Sequence, residues 1–115
     1  QGITAALHAV KHGLDTNLTL VDVNPRARSF VAANLQLNGM SGTFIEHDLM
    51  QEERVSLLDA YGPFNLILAN PPFWPQEGSQ LFQHGGVNGE RVTARIVSVF
   101  GQRLAMGGAM MIVTP

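Results

Sequence analysis

The stretch Phe64-Asn65-Leu66-Ile67-Leu68-Ala69-Asn70-Pro71-Pro72-Phe73 decides the fold of this chain. Its first part, over 64–69, is a short apolar run of the kind found in buried parallel strands. Two consecutive prolines then stop the strand, because each fixes φ at about −65° and lacks a backbone N–H donor. The stretch therefore predicts a buried strand that runs directly into a stiff loop.

Strands and helices alternate on both sides of this stretch. Further β-rich runs predict parallel strands at 17–23, 42–47 and 108–114. Apolar spacing and capping residues predict helices over 2–12, from Asn24-Pro25 to Asn38-Gly39, over about 89–106, and a brief one at 51–61. This alternation indicates an α/β fold with a largely parallel sheet.

The helical patterns also predict which side chains face the core. In the helix after Asn24-Pro25, the inward residues are Ala27, Phe30, Val31 and Leu35. In the helix that Gly107-Gly108 is expected to close, they are Val92, Ile96, Val99 and Phe100. Met106, Met110 and Met111 are expected to fill the core, since methionine adapts to irregular gaps.

Composition narrows the classes of function. Apolar residues make up 45% of the chain and charged residues 14%, which is typical of a globular protein. Seven Lys plus Arg against nine Asp plus Glu give a net charge of −2, without the basic excess of most nucleic-acid-binding modules. The absence of cysteine excludes disulfides, thiolate metal sites and thiol nucleophiles. It also fits a reducing setting, and we expect a cytoplasmic protein. No apolar run approaches the roughly 20 residues that span a bilayer.

Polar side chains follow three of the predicted strands. Ligands bind at the carboxyl ends of strands in open α/β sheets, and Asp22, Asp48 and Asn70 all lie at or just beyond such ends. Asp22 can accept both hydroxyls of a ribose, or it can instead cap the next helix. Asp48 can accept from an exocyclic adenine amine, or it can be a turn aspartate bonded to its own backbone.

The Asn70 loop carries the strongest chemical signal. Asn70 offers a side-chain carbonyl beside the backbone carbonyl of Pro71, and two such acceptors can each take one hydrogen of an –NH2 group. Positioning of this kind is what a poor nitrogen nucleophile needs for in-line attack on a methyl sulfonium. Phe73 adds a flat apolar surface for stacking. The alternative is a purely structural turn, because Asn and Pro are common in turns.

In this order, Asp22, Asp48 and Asn70-Pro71-Pro72-Phe73 resemble the class I S-adenosylmethionine-dependent methyltransferases. The similarity is greatest to the small-domain group that includes release-factor glutamine methyltransferases and RNA base methyltransferases. By position, the resemblance implies a catalytic loop of Asn70, Pro71, Pro72 and Phe73. It implies cofactor-binding residues Asp22, Val23, Asp48, Leu49 and Asn70, with Asp22 at the ribose and Asp48 at the adenine.

The resemblance covers essentially all of residues 1–115 and implies a Rossmann-like methyltransferase fold with a mostly parallel sheet. We expect 1–115 to be a partial catalytic domain, from the helix after the Gly-rich cofactor turn to the fifth strand of the family fold. The family's first strand and its C-terminal strands would then be missing. A piece of this kind is expected to bind the cofactor poorly by itself.

The resemblance implies an S-adenosylmethionine-dependent N-methyltransferase that acts on a planar amino nitrogen. The substrate is left open between a nucleobase of RNA or DNA and a glutamine amide of a release-factor-like protein. No metal or membrane partner is expected, and His8 and His12, four residues apart, are interpreted as surface histidines. The alternatives are an NAD-type Rossmann oxidoreductase, in which Asn70-Pro71-Pro72-Phe73 would have no role, and a non-catalytic RNA- or ribosome-binding paralogue.

Overall fold

A computed structural model of the chain describes residues 1–72 and 89–114. The chain divides into two compact units, Gln1–Asp48 and Leu49–Pro115. In both units the strands pair in parallel and alternate with helices, as the sequence predicts. Within the described residues, no helix combines the length and apolar character needed to cross a membrane.

The first unit contains helix α1 (Gly2–Lys11), strand β1 (Thr19–Asp22), helix α2 (Ala27–Leu37) and strand β2 (Thr43–Glu46). Strands β1 and β2 pair in parallel, in a register that runs from Thr19 opposite Thr43 to Asp22 opposite Glu46. Both strands are shorter than predicted but lie within the predicted ranges. The helices end just before Gly13 and Gly39, where the sequence places their ends.

Two expectations for α2 are wrong. The helix begins at Ala27 rather than at Asn24-Pro25, because Asn24 forms a turn ahead of it: its Oδ1 accepts from the Arg26 N–H at 3.0 Å, and its backbone carbonyl accepts from the Ala27 N–H at 3.0 Å. Phe30 is 66% exposed instead of facing the core. The inward-facing residues of α2 are Val31 and Leu35, which lie one turn apart. Adjacent residues of a helix are rotated by about 100° around its axis, so Phe30, next to Val31, points away from that face.

The second unit contains a 3-10 helix (Glu52–Ala60), strand β3 (Phe64–Ala69), helix α3 (Arg91–Gly101) and strand β4 (Leu104–Ile112). Strands β3 and β4 pair in parallel. Among the described residues, the buried apolar side chains of this unit include Leu58, Ile67, Ile96, Val99 and Phe100. The rings of Phe64 and Phe100 meet edge to face at 6.3 Å, which places α3 against the start of β3.

The boundary between α3 and β4 differs from the prediction. The helix ends at Gly101 rather than near Met106, and Gly107-Gly108 lies inside β4 instead of closing the helix. Phe64 pairs with Leu104, and Leu66 pairs with Ala109. Between these two pairs β3 advances by two residues while β4 advances by five residues, so β4 forms a bulge there. Gly107 has φ +76°, and a Cβ on Gly108 would lie 2.9 Å from the Phe64 carbonyl oxygen. The glycines are needed for this bulge.

The methionines of β4 also correct an expectation. Met106 is fully exposed and Met111 is 63% exposed, so neither fills the core, whereas Met110 is half-buried. Side chains alternate between the two faces of a strand, and Met110 therefore lies on the opposite face from Met111. Met106 belongs to the bulged part of β4, where it projects into solvent.

Candidate active site

The two predicted cofactor carboxylates lie at the same edge of the β1–β2 pair. Asp22 is the last residue of β1 and is opposite Glu46, the last residue of β2. The pairing continues one step further, since the backbone N–H of His47 donates to the carbonyl oxygen of Asp22 at 3.0 Å. Asp48 comes next in the chain. The parallel register thus brings Asp22 and Asp48 to neighbouring carboxyl ends of the strands, where open α/β sheets bind ligands.

The carboxylate of Asp22 is exposed and locally oriented. Its Oδ1 accepts a hydrogen bond of 2.8 Å from the backbone N–H of Asn24, at the turn that leads into α2. The alternative role of Asp22, in the turn before the helix, is therefore real. An ionised carboxylate has about four lone-pair sites on its two oxygens, so this bond uses only part of its capacity as an acceptor. Asp22 can support the turn and also accept from a ligand hydroxyl.

The neighbours of these carboxylates differ in burial. Val23 is 40% exposed, while Asp48 and Leu49 are half-buried and His47 is 5% exposed. The carbonyl oxygen of Leu49, which begins the second unit, accepts a hydrogen bond of 2.7 Å from Nε of Arg95 on α3. A side chain 46 positions away in the sequence thus holds the turn that follows Asp48.

Asn70 and the prolines lie directly at the end of β3. The last carbonyl of the strand, on Ala69, accepts from the Val113 N–H at 2.9 Å, so backbone pairing with the end of β4 extends up to the loop. Asn70 is exposed, Pro71 is buried and Pro72 is half-buried. Phe73, the fourth predicted catalytic residue, lies outside the described residues. The loop therefore presents the Asn70 side chain to solvent above a buried proline.

The predicted site residues fall into two groups, one in each compact unit. Asp22, Val23 and Asp48 belong to Gln1–Asp48, whereas Leu49 and the Asn70 loop belong to Leu49–Pro115. Asp22, Val23 and Asp48 lie at or just beyond the carboxyl ends of β1 and β2, and Asn70 directly follows the carboxyl end of β3. Leu49 instead lies in a turn between β2 and the 3-10 helix. The chemistry of both groups is hydrogen-bond acceptance, from carboxylates in the first and from amide and backbone carbonyls in the second.

Two arginines that the sequence analysis did not single out hold the second unit together. Arg95, with 17% of its side chain exposed, pairs with Glu52 through Nη2 and Oε2 at 2.6 Å. Arg103, 14% exposed, pairs with Asp59 at 2.5 Å and donates to the carbonyls of Val55 and Val99. The sequence pattern could have singled out Arg95. It lies three residues after Val92 and four before Val99, so it is a charged residue on the apolar stripe of α3.

His8 and His12 lie on the exposed surface of α1, as the sequence analysis interprets them. Their ring centroids are 4.4 Å apart, and Nδ1–H of His12 donates to the His8 carbonyl at 2.9 Å. Across residues 1–72 and 89–114, no group of three or more His, Cys, Asp or Glu side chains is arranged to hold a metal ion.

Parallel strands that alternate with helices define an α/β protein of the Rossmann-like kind. Comparison with protein families matches residues 2–115 to the methyltransferase small domain. The chain belongs to the methyltransferase small domain family. This agrees with the resemblance seen at Asp22, Asp48 and the Asn70 loop.

Two curated proteins are similar to this chain. One is a release factor glutamine methyltransferase of Deinococcus radiodurans, 29% identical over 106 residues, covering 83% of this chain and 36% of that protein. The other is a putative protein N5-glutamine methyltransferase of Methanocaldococcus jannaschii, 28% identical over 99 residues, covering 80% of this chain and 47% of that protein. The chain thus spans less than half the length of these relatives. No solved structure matches the chain significantly.

Proposed function

We propose that this chain contributes the cofactor-binding edge and the catalytic loop of an S-adenosylmethionine-dependent methyltransferase that methylates the side-chain amide nitrogen of a protein glutamine. The observation that carries the proposal is the end of β3, where an exposed Asn70 precedes a buried Pro71 in a chain of the methyltransferase small domain family. Membership of the family and the names of both relatives support it.

The residues at the β1–β2 edge suit the cofactor chemically. A ribose offers two hydroxyl donors, and the exposed carboxylate of Asp22 is an acceptor of the right type. An adenine offers an exocyclic amine, for which Asp48 would be the acceptor, with Val23 and Leu49 as apolar neighbours. When bound, S-adenosylmethionine would supply an electrophilic methyl group. These roles follow from the family resemblance and from the acceptor chemistry of the two aspartates.

Asn70 would hold the target nitrogen. A glutamine amide is planar and its nitrogen lone pair is conjugated with the carbonyl, so the nitrogen is a weak nucleophile. The Asn70 side-chain oxygen and the Pro71 backbone oxygen would each accept one N–H of that amide. Both hydrogen bonds would strengthen as the nitrogen loses its conjugation with the carbonyl. They would therefore stabilise the transition state more than the bound substrate, which lowers the activation barrier. A loop stiffened by two prolines aligns its acceptors in advance.

The choice of a protein amide over a nucleobase rests on two observations. Both relatives are named as glutamine methyltransferases. The chain also carries a net charge of −2, and a binding surface for nucleic acid is usually basic. Membership of a methyltransferase family disfavours the NAD-type oxidoreductase, and the test below separates an enzyme from a non-catalytic paralogue.

The test is transfer of tritiated methyl groups from S-adenosylmethionine by the full-length protein into fractionated cell protein, RNA and DNA. We expect label in the protein fraction. Acid hydrolysis of an N-methylated amide releases methylammonium, so the label should become volatile once the hydrolysate is made alkaline. A parallel reaction with Asn70→Ala serves as the control, because label that depends on this enzyme should then fall sharply.

Each other outcome has a definite meaning. Label that enters RNA or DNA and is released by nuclease would replace the glutamine amide with a nucleobase amine. Label in no fraction, from folded protein that binds S-adenosylmethionine, would favour a non-catalytic role. Failure of the folded protein to bind S-adenosylmethionine would overturn the cofactor assignment itself.

A further inference from the structure

Arg95 is a half-buried cation placed next to a predicted cofactor-binding residue rather than in the catalytic loop. Its side chain is only 17% exposed, whereas its ionic partner Glu52 is 82% exposed. A buried guanidinium is costly unless its donors are satisfied. Here Nε donates to the Leu49 carbonyl at 2.7 Å and Nη2 contacts Oε2 of Glu52 at 2.6 Å.

The segment that Arg95 holds has little regular structure of its own. Strand β2 ends at Glu46 and the 3-10 helix begins at Glu52, so Leu49 lies in a turn between them. Within residues 1–72 and 89–114, the last backbone bond between this segment and β1 is made by His47, two residues before Leu49. The Arg95 bond is a contact from α3 that constrains the orientation of the Leu49 carbonyl.

We propose that Arg95 is a positioning residue for the adenine end of the cofactor site. It acts through the Leu49 carbonyl, which sets the course of the backbone immediately after Asp48. The inference rests on the proposed function, in which Asp48 and Leu49 contact the adenine. Arg95 itself does not need to touch the cofactor or the substrate.

Arg103 provides a matched control. It lies just after α3, its side chain is buried to a similar degree, and it too joins an acidic residue of the 3-10 helix to backbone carbonyls. The carbonyls that it holds belong to Val55 and Val99, which have no predicted part in the site. A general loss of packing or of an ion pair should affect the stability of both arginine variants alike, whereas only replacement of Arg95 should weaken cofactor binding.

The experiment measures S-adenosylmethionine binding by calorimetry, together with melting temperature and kcat at saturating cofactor, in full-length protein. Arg95→Met keeps the apolar stem and removes both interactions, whereas Arg95→Lys keeps the charge without the planar fork of donors. We expect Arg95→Met to raise Kd about fivefold or more, Arg95→Lys to give an intermediate Kd, and kcat to change little.

Arg103→Met should lower the melting temperature with a wild-type Kd. If Arg95→Met does not fold, the intermediate Kd of Arg95→Lys carries the test. A Kd within about twofold of wild type in the folded Arg95 variants would overturn the positioning role and leave the proposed function standing. Absence of binding by the wild-type protein would instead overturn the proposed function, and this inference with it.

Discussion

The backbone N–H of His47 donates to the carbonyl oxygen of Asp22 at 3.0 Å, one step beyond the last residue pair of β1 and β2. This bond keeps the two chains side by side past the ends of their strands. As a result, Asp22 and Asp48 lie at one edge of the first unit even though 25 residues separate them in the sequence. Under the proposed function this edge binds the cofactor, so variants of Asp22 test that assignment.

Replacing Asp22 should weaken binding of S-adenosylmethionine in the full-length protein. Asp22→Ala removes a charged acceptor, and losing a charge-assisted hydrogen bond costs about 1.5–3 kcal/mol, which corresponds to a roughly tenfold to hundredfold higher Kd. Calorimetry measures the change. An unchanged Kd in folded Asp22→Ala protein would rule out Asp22 as the ribose ligand.

Asp22→Asn separates the two roles of this side chain. An asparagine oxygen can still accept from the Asn24 N–H, so the turn before α2 should keep its 2.8 Å bond. The charge is lost, and we expect Kd to rise at a melting temperature close to that of wild type. If Asp22 served only the turn, Asp22→Asn would bind like wild type and Asp22→Ala would lose only stability.

Asn70→Ala should lower kcat far more than it weakens cofactor binding. The interaction of Asn70 with the target nitrogen is expected to be strongest in the transition state, so its loss appears in turnover. The decrease should be about a hundredfold or more, similar to the removal of one preorganised hydrogen-bonding group. Single-turnover methyl transfer and melting temperature, measured on the same preparation, check this prediction.

Asn70→Asp tests whether the side chain acts as an acceptor. The carboxylate keeps the size and the acceptor oxygen, so residual activity above that of Asn70→Ala would support an acceptor role. In a purely structural turn, any loss of activity in the two variants would follow their loss of stability. A full single-turnover rate in stably folded Asn70→Ala would show that the loop is not catalytic.

The adjacent leucines of the 3-10 helix should differ sharply in their contribution to stability. Leu58 is fully buried at 0% exposure, and Leu58→Ala leaves a cavity that should reduce the free energy of unfolding by about 2–5 kcal/mol. Leu57 is 55% exposed, and Leu57→Ala should stay within about 0.5 kcal/mol of wild type. Denaturant unfolding of the two variants measures both values, and equal losses would contradict the packing described for this helix.

The bulge in β4 should make Gly107 sensitive to substitution. With φ at +76°, alanine at this position is strained by roughly 1–2 kcal/mol. Gly101→Ala is the control: a Cβ there meets no atom within 4 Å, and alanine favours a helix over glycine by about 1 kcal/mol. We expect Gly107→Ala to lower the melting temperature and Gly101→Ala to preserve or raise it. The opposite order would contradict the conformation of β4.

The exposed side chains of α2 and β4 mark where sequence patterns fail. Helical periodicity predicts Phe30 on the inward face of α2, but the inward line runs through Val31 and Leu35 and Phe30 is exposed. The glycine pair before the last strand was interpreted as the end of a helix, although Gly107-Gly108 serves a bulge within β4. In both cases the sequence pattern reports on a few neighbouring residues. The position of each side chain depends instead on which other helix or strand packs against that segment.

By itself, the sequence determined the parallel α/β pattern and the strand before the Asn70 loop, because apolar periodicity and the stiffness of proline are local properties of the chain. It indicated the family through the resemblance carried by Asp22, Asp48 and the Asn70 loop. Only the tertiary structure decided the register that places His47 against Asp22, and the contact of Arg95 with Leu49. Such contacts join residues far apart in the chain. Their geometry depends on how strands pair and which helix face is buried, and no local pattern encodes that geometry.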